Sequence, residues 1–576
     1  MARIWRLLIV IGFAGAHAQY KKTPTTSSNE IVPHSNCTYD YIVVGGGASG
    51  LIVSERLAET GKSVLVLERG APSLFTSGGD ILTSWNDTLT IFDVPALHMF
   101  LTTWPGVNAQ CTDVPTAAAA GCLLGGGTAI NGMQFVRPPS FDFDDRWPVG
   151  WRWDDMKDAA ARLYERNPGT LTPSADGKLY DNDVREIVSK FFALGGYTQV
   201  DTNEEPDKKY KVWSYPALST DQGFRAGPVR TYLPIAEKLP NFTLQLYTKV
   251  IRAVRTGPLV TGVEVESTTG QRSIISVNKG GKVILAAGAM SSPRFLFNSG
   301  IGPLEQISIV ENGTANITLP PRKDWIESPV GFVRDHTIVI VTFDVPEGTN
   351  VLNQTEFLNP SEESRDMYAH GFGPLAQAWN RLMSYTTVTN DNGHRTFIQT
   401  HVTGLVNGTA QFLVATTHNS TSTGTLGITP NGNTIWTKDP YLNSASDREA
   451  MTKALDELLE ISRLPGSPLS YNPSNATGAS ILEVAMSQQD PNNRMIPGQH
   501  MIGTTIMGTD DGTKNGSSVV DTNCKVYGTD NLFVVDAGMH SDLPTGNTMA
   551  IVMVAAEHAA QKIIALDGVS NSTGSP

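Results

Sequence analysis

Hydrophobic and polar positions predict that ordered structure begins near Tyr39 with a strand, a helix and a second strand in close succession. An apolar run over residues 41–44 precedes a glycine turn and an amphipathic helix over residues 48–60. Gly61 ends that helix, and a second apolar strand ends at Glu68. These elements form a complete βαβ unit, which predicts a parallel sheet.

The rest of the chain mixes helical and β-like patterns. Helical periodicity covers residues 153–165 and 182–194, and the β-like segments FTLQLYTKVIRAV and KVILAAGAMSSP follow. From about residue 330 to 495, Thr/Val-rich alternation such as HTIVIVTFDV predicts an antiparallel sheet. A strand in NLFVVDAG and a helix over residues 546–566 come last. The predicted fold class is α/β, α+β overall, with a Rossmann-like domain and a second domain built on an antiparallel sheet with helices.

Length and charge narrow the classes of function. A chain of 576 residues predicts two or more folded units and has ample length to bury a cofactor. Charged residues make up 17% of the chain and the formal net charge is -13. Nucleic acids and anionic membranes attract clustered positive charge, so this acidity disfavours both as partners.

The N-terminus predicts export. Two arginines, an apolar run and Ala16-His17-Ala18 resemble a secretory signal peptide over residues 1–18, followed by a flexible leader over residues 19–37. The apolar run is too short to span a bilayer, and no later segment has the length or purity of a membrane helix. We therefore expect a soluble, secreted glycoprotein. Its eleven N-x-S/T sites are Asn36, Asn86, Asn241, Asn312, Asn316, Asn353, Asn407, Asn419, Asn475, Asn515 and Asn571.

Four cysteines permit two disulfides in an exported chain. Cys111 and Cys122 close a short loop and are the expected pair. Cys37 reaches Cys524 only if the two ends of the chain meet. No two cysteines have the spacing of a zinc knuckle, so we expect no metal site.

The glycine turn of the βαβ unit predicts a dinucleotide site. Gly45 permits a tight turn, Gly47 lets a pyrophosphate approach the backbone, and Gly50 packs the helix against the sheet. Ser49 lies in the same turn, and Glu68 can accept hydrogen bonds from a ribose diol. The turn does not distinguish FAD from NAD, but a tightly held flavin survives export better than a diffusible nicotinamide.

A second glycine cluster follows at residues 125–132, where a backbone without side chains can press against a flat ring. Its candidate cofactor contacts are Gly126, Thr128, Asn131, Gly132 and Met133. The alternative is a loop without a binding role.

These segments together resemble the glucose-methanol-choline (GMC) oxidoreductase family. The resemblance rests on GGGTAING, GAMSSPRFLFNSGIG and GTDNLFVVDAGMHSDLPTGNTMAIVMVAAEHAAQKI, and it runs from about residue 38 to the end. It implies a discontinuous FAD-binding domain over residues 38–140, 225–325 and 500–567. Residues 141–224 and 326–499 would then form the substrate-binding domain, and residues 568–576 a tail. Further cofactor contacts implied by the resemblance are Val250, Asp536, Ala537, Asn547 and Thr548.

The resemblance also implies the catalytic residues. In this family a histidine in the stretch that matches MIPGQHMIG removes the hydroxyl proton, and here that residue is His500. The segment LPTGNTM supplies Asn547, whose carboxamide can orient the substrate hydroxyl without competing for its proton. No histidine occupies the glycine cluster, so non-covalent FAD is expected.

Within the family, AGCLLGGGTAING and RAGPVRTYL resemble the flavodehydrogenase domains of fungal cellobiose dehydrogenases. This implies oxidation of a sugar at the anomeric carbon to a lactone, with electrons passed to a diffusible or protein acceptor. Trp213, Tyr215 and Gln499 are the candidate substrate contacts, although aromatic residues at such spacing more often belong to a core. Two alternatives stay open: oxidation of an aryl or secondary-metabolite alcohol, and a hydroxynitrile lyase with a structural flavin.

Overall fold

The structure of the protein is a computed structural model that describes residues 38–570, apart from residues 105–106, 108, 116–118, 350–351, 353–354, 404–407 and 491. Two seven-stranded sheets dominate it. Their strands, in chain order, are β1 (Thr38–Val44), β2 (Val64–Leu67), β3 (Thr198–Gln199), β4 (Val212–Ser214), β5 (Phe242–Gln245), β6 (Thr248–Thr256), β7 (Leu259–Ser267), β8 (Arg272–Leu285), β9 (Thr337–Asp344), β10 (Asn380–Thr389), β11 (Arg395–Thr403), β12 (Thr409–Thr416), β13 (Arg494–Pro497) and β14 (Leu532–Val534).

Smaller sheets and helices complete the described part of the chain. The short strands are Leu82–Thr83, Asn86–Thr90, Thr220–Asp221, Phe224–Arg225, Ile301–Gly302, Ile326–Glu327, Phe332–Val333, Gly424–Ile428 and Thr434–Lys438. The α-helices are α1 (Ala48–Ala58), α2 (Gly127–Ile130), α3 (Phe141–Asp144), α4 (Trp153–Arg166), α5 (Asn182–Leu194), α6 (Pro228–Thr231), α7 (Leu233–Ala236), α8 (Ser292–Asn298), α9 (Leu304–Glu311), α10 (Thr355–Leu358), α11 (Glu362–Ala369), α12 (Ala445–Arg463), α13 (Gly478–Ser487) and α14 (Thr548–Ser570).

The first sheet contains the predicted βαβ unit. Five parallel strands lie in the order β5-β2-β1-β8-β14. In addition, β8 pairs antiparallel with β7, and β7 pairs antiparallel with β6. The central strands are apolar where helices cover them: β2 is VLVL, with all four residues buried, and β1 ends in the buried segment YIVV. Helix α1 packs against α14, which also packs against α4. The carboxyl ends of β1 and β2 therefore lie together at one edge of the sheet.

The second sheet confirms the predicted antiparallel pattern, in the order β13-β9-β12-β11-β10-β4-β3. One face packs on α5, α12 and α13 through a core that includes Phe191, Val341, Phe412 and Leu455. The other face carries the alternate positions of the same strands and borders a large cavity. The strands of both sheets come from separated stretches of chain, but the proposed domain boundaries stay a prediction.

The last helix is longer than predicted and shifted toward the C-terminus, since it ends at Ser570 rather than at residue 566. Residues 548–568 are long and apolar enough to cross a membrane, contrary to our expectation that no segment would be. However, 67% of its most apolar window is buried inside the protein, where it packs against α1 and α4. Its apolar composition is thus explained by a position in the core.

The Cys111–Cys122 disulfide is present, with a Cα–Cα distance of 5.0 Å. Cys524 is buried and unpaired within the described residues, while Cys37 lies outside them. Among the glycosylation sites, Asn36, Asn353, Asn407 and Asn571 also lie outside the described residues. Asn312, Asn316, Asn475 and Asn515 are exposed, whereas Asn86, Asn241 and Asn419 are half-buried. The Asn241 amide donates to the carbonyls of Ala58 and Lys62, bonds that compete with glycan attachment.

Candidate active site

One cavity of about 1260 Å³ extends from the glycine turn after β1 to His500 and Asn547. It lies between the carboxyl ends of the parallel strands and the cavity face of the antiparallel sheet. Most of the predicted cofactor and catalytic residues line it: Gly45, Gly47, Ser49, Glu68, Gly126, Thr128, Asn131, Gly132, Val250, Gln499, His500, Asp536, Ala537, Asn547 and Thr548.

The glycine turn has the local geometry that a dinucleotide requires. Gly45 has φ +107°, and a Cβ there would lie 2.5 Å from the carbonyl oxygen of Ala286. A Cβ on Gly50 would lie 2.0 Å from the carbonyl oxygen of Gly45, so this glycine is required for the contact of α1 with the sheet. By contrast, a Cβ on Gly47 would meet no atom closer than 4.0 Å, because this position faces the cavity. The N-terminus of α1 is therefore open to a pyrophosphate.

Glu68 borders the same end of the cavity and is held by the backbone. Its two carboxylate oxygens accept from the N–H groups of Gly46 and Gly70, each at 2.7 Å. Burial raises the pKa of Glu68. Each carboxylate oxygen keeps a further lone pair, so the side chain can still accept from a ribose hydroxyl.

The second glycine cluster is fixed by a buried arginine from the segment RAGPVRTYL. The Arg225 guanidinium donates to the backbone oxygens of Phe92, Thr128 and Asn131, at 2.8 to 3.1 Å. It also donates to Asn131 Oδ1, which accepts from the N–H of Met133 as well. Arg225 therefore shapes the wall on which Thr128 and Asn131 lie, although its side chain does not line the cavity.

Asp536 ties the C-terminal segment to the start of α8. Its carboxylate accepts from Gly288 N–H at 2.9 Å, Ser292 Oγ at 2.6 Å and Gly538 N–H at 2.7 Å. Burial raises the pKa of Asp536. Gly288 and Asp536 are 248 residues apart in the chain, and the Asp536 side chain holds their two segments together beside the cavity.

His500 is joined to a second histidine that the sequence analysis missed. His500 Nδ1 lies 2.9 Å from His336 Nδ1, and His336 Nε2 lies 3.0 Å from the carbonyl oxygen of Pro544. A carbonyl oxygen only accepts, so His336 Nε2 carries its hydrogen. Burial lowers the pKa of His336 well below its ordinary value, and the ring is neutral. Its Nδ1 is then an acceptor.

This arrangement determines the tautomer of His500. Because His336 Nδ1 accepts, His500 Nδ1 must donate, which leaves the lone pair on His500 Nε2. That nitrogen lies 3.3 Å from Asn547 Nδ2 at the cavity wall. Burial lowers the pKa of His500 to about 4. At neutral pH the ring is thus uncharged, and its Nε2 lone pair accepts from the Asn547 amide at the cavity wall, where a hydroxyl could take the place of that donor.

Asp335 positions the backbone of the same residue. Its carboxylate accepts from the N–H of His500 at 2.7 Å, from the N–H of Gln499 at 3.1 Å, and from Tyr441 Oη at 3.2 Å. Gln499 has φ +62°, so these bonds stabilise a turn that a non-glycine residue rarely adopts. Burial raises the pKa of Asp335 to about 7.

The orientation of Asn547 is likewise fixed by a neighbour. Gln399 Nε2 donates to Asn547 Oδ1 and to Tyr385 Oη, both at 3.2 Å. The Asn547 amide nitrogen consequently faces His500. His401, which lies on β11 beside Gln399, also lines the cavity, and burial lowers its pKa to about 3.

Three predicted contacts are corrected by the structure. Trp213 is buried in the core between the antiparallel sheet and its helices, and Tyr215 packs against that core beneath Arg185, so neither lines the cavity. Met133 has φ +60° and its side chain packs with Leu218 and Ala378. Its neighbours Asn131 and Gly132 line the cavity, but Met133 itself does not.

Comparison with known proteins gives a consistent result. Two family models, both described as GMC oxidoreductase, match residues 39–331 and 421–556. An uncharacterized GMC-type oxidoreductase of Rhodococcus erythropolis is 26% identical over 90% of this chain and 97% of its own length. The glucose methanol choline oxidoreductase atC of Aspergillus terreus is 26% identical over 96% and 98%. The structure of a fungal aryl-alcohol oxidase superposes with a TM-score of 0.69 at 19% identity, covering 92% of this chain and 99% of that one.

Replacing the base is expected to block the transfer of electrons to the flavin without releasing it. We expect His500→Ala to retain FAD and to reduce it with substrate about 100- to 10,000-fold more slowly, the usual contribution of a positioned general base. Stopped-flow absorbance under anaerobic conditions measures this rate, and the visible spectrum of the purified variant gives its FAD content. A normal reduction rate in the variant would show that His500 is not the base.

Removing His336, the acceptor that fixes the tautomer of His500, should slow flavin reduction less than removing His500 itself. We expect His336→Leu to slow flavin reduction about ten- to a hundredfold, the range for losing a group that orients a functional histidine, and to change the pH profile. His336→Gln keeps an acceptor oxygen and serves as the matched variant, with a smaller loss. If the Leu variant keeps both the wild-type rate and the wild-type pH profile, the proposed role of His336 is wrong.

Proposed function

The chain belongs to the GMC oxidoreductase family and is an FAD-dependent oxidoreductase of CH–OH donors; from this premise we propose that it oxidises the hydroxyl of an aryl or other apolar alcohol, in a biosynthetic pathway, rather than that of a sugar. The observation that carries the proposal is the wall of the cavity opposite the flavin sheet. It contains an aliphatic patch formed by Ile338, Leu413 and Ile496. Polar residues surround this patch: Asn380, His401, Thr403, Gln488, Gln489 and Arg494.

In the described part of the chain, the same wall has no aromatic side chain on which a sugar ring could stack. Among the described residues that line the cavity, Phe295 is the only Phe, Tyr or Trp, and it lies on α8 at the flavin sheet. Trp213 and Tyr215, which would have supported the sugar alternative, are part of a core. An aliphatic wall gains free energy by taking apolar substrate surface out of water, at about 25 cal/mol per Å².

In the proposed reaction the alcohol loses a proton from oxygen and a hydride from carbon, and a carbonyl product forms. His500 Nε2 accepts the proton through its lone pair. The Asn547 amide nitrogen, 3.3 Å from that atom, donates to the substrate oxygen and orients it. FAD, when bound, takes up the hydride from the carbinol carbon. The chain's own part is thus to orient the hydroxyl and to hold its proton.

Three further features belong to the proposal. FAD is bound non-covalently, and a diffusible or protein acceptor reoxidises it. The protein is secreted and glycosylated, which the signal-like N-terminus and the exposed sites Asn312, Asn316, Asn475 and Asn515 support. Relatives include a protein named oxygen-dependent choline dehydrogenase, from Vibrio vulnificus, and this supports a small alcohol as the substrate.

The proposal is tested by reducing the enzyme-bound flavin anaerobically with an aryl alcohol and, separately, with cellobiose. We expect an aryl alcohol such as cinnamyl alcohol to bleach the flavin at a higher second-order rate constant than cellobiose does. Faster bleaching by cellobiose would favour the sugar alternative. A flavin that stays oxidised with both, in an enzyme that cleaves an aromatic cyanohydrin, would favour the lyase.

A further inference from the structure

Arg494 is a cation on the cavity face of the antiparallel sheet. It begins β13, where it pairs with Ile340 of β9, while the next residue, Met495, pairs with Val339. Val339 and Met495 pack on the core beneath the sheet. Successive residues of a strand point to opposite faces, so Arg494 and Ile496 lie on the face opposite that core. Both line the cavity, which Met495 and Pro497 border as well.

The guanidinium of Arg494 has no anionic partner in the described part of the chain. Its Nε is buried without a hydrogen bond, and no carboxylate of the described residues forms an ion pair with it. Burial lowers the pKa of Arg494, but an arginine remains charged in proteins. The buried Nε has lost hydration without gaining a hydrogen bond, and an anionic ligand in the cavity would supply one.

The acidic groups around the cavity are all engaged elsewhere. Glu68 and Asp536 accept from backbone N–H groups, and Glu266 forms an ion pair with Arg272 at 2.8 Å. Asp490, the acid nearest to Arg494 in the chain, accepts from the N–H of Asn492 at 2.8 Å and from Asn493 Nδ2 at 2.7 Å. None of these carboxylates therefore neutralises Arg494.

An apolar stretch separates this cation from the base. Ile340, which pairs with Arg494, is four residues along β9 from His336, or roughly 13 Å at about 3.3 Å per residue. Ile338 and Ile496 pair with each other, at a position along the sheet between Arg494 and His336. A ligand that reaches from His500 to Arg494 has a hydroxyl at one end, an apolar middle and a negative charge at the other end.

We propose that Arg494 binds a carboxylate of the substrate, remote from the hydroxyl that is oxidised. The proposal rests on the proposed oxidation of an apolar alcohol and specifies its substrate class as a hydroxy acid about two rings long. A guanidinium can donate two parallel N–H bonds to a carboxylate, which adds both affinity and orientation. The same alcohol with a neutral group in place of the carboxylate would still bind, but more weakly, because the cation would stay unpaired.

Binding without turnover tests the site directly. The probes are a biphenyl with a methyl group at one end and a carboxylate at the other, and the corresponding carboxamide. Their Kd values are measured on the FAD-loaded enzyme from the change in the visible flavin spectrum, with displacement of cinnamyl alcohol as the second readout. We expect the carboxylate to bind about tenfold more tightly or better, as a hydrogen-bonded charged pair implies.

Variants separate the site from general charge effects. Arg494→Gln should remove the preference for the carboxylate and leave the Kd of the carboxamide within about twofold, whereas Arg494→Lys should keep part of the preference. Arg395→Gln removes the same charge from an exposed position at the start of β11 and should change nothing. Equal Kd values for the two probes in the wild type would overturn the proposal, and so would a preference that survives in Arg494→Gln.

The test also distinguishes this inference from the proposed function. The analogous biphenyl with a hydroxymethyl group in place of the methyl group reports turnover. A carboxylate preference in binding without reduction of the flavin by any alcohol would support the site and contradict the proposed oxidation. Oxidation of acid and amide with equal kcat/KM would support the oxidation and contradict the role of Arg494.

Discussion

The pair Asp335-His336 is the point on which the active site depends. It lies just before β9, the strand that carries much of the cavity wall, and both side chains bind the turn that contains His500. Asp335 holds the backbone of that turn, and His336 holds the ring. A typical intramolecular hydrogen bond contributes about 0.5–1.5 kcal/mol, so the bonds to Asp335 together are comparable with the cost of the left-handed conformation of Gln499, about 1–3 kcal/mol. The position and the tautomer of the base thus both follow from the start of one strand.

A second constraint comes from the parallel sheet. The close contact of Gly50 with the Gly45 carbonyl brings α1 against β1, while Gly47 leaves the helix N-terminus open to the cavity. Asp536 and Arg225 then bring distant segments to the same edge of the sheet. The cofactor half of the cavity is therefore built from backbone geometry. The substrate half is built from side chains on the antiparallel sheet, and the two halves meet at His500 and Asn547.

The sequence predicted those parts whose physical cause is local. The βαβ unit was predicted because Gly45, Gly47 and Gly50, at this spacing between two apolar runs, meet the steric requirements of a tight turn from a strand into a helix. The antiparallel sheet was predicted because Thr/Val alternation reports a strand with one buried face. His500 required the resemblance to a family, since nothing in its neighbourhood distinguishes a base from a structural histidine.

The remaining features depend on long-range contacts. His336 is 164 residues from His500, and no spacing rule connects them. The one sequence feature that pointed to a role for His336 was the polar pair Asp335-His336 directly before an apolar strand. Trp213 and Tyr215 were misplaced because an aromatic residue in a strand looks the same whether its face meets a core or a cavity. Arg494 has no anionic partner among the described residues, and this becomes visible only when the neighbouring strands are in register.

The central claim is that His500 acts as an uncharged base whose proton affinity is lowered by burial. The most direct measurement is the rate of anaerobic flavin reduction, at a fixed concentration of an oxidisable alcohol, as a function of pH. Only the neutral ring can take the proton, so the rate should fall about tenfold per unit only below about pH 4, and protonation of Asp335 near pH 7 should cause at most a limited step. A tenfold-per-unit fall that already begins near pH 6.5, the ordinary pKa of histidine, or a rate that does not fall down to about pH 3, would contradict the account.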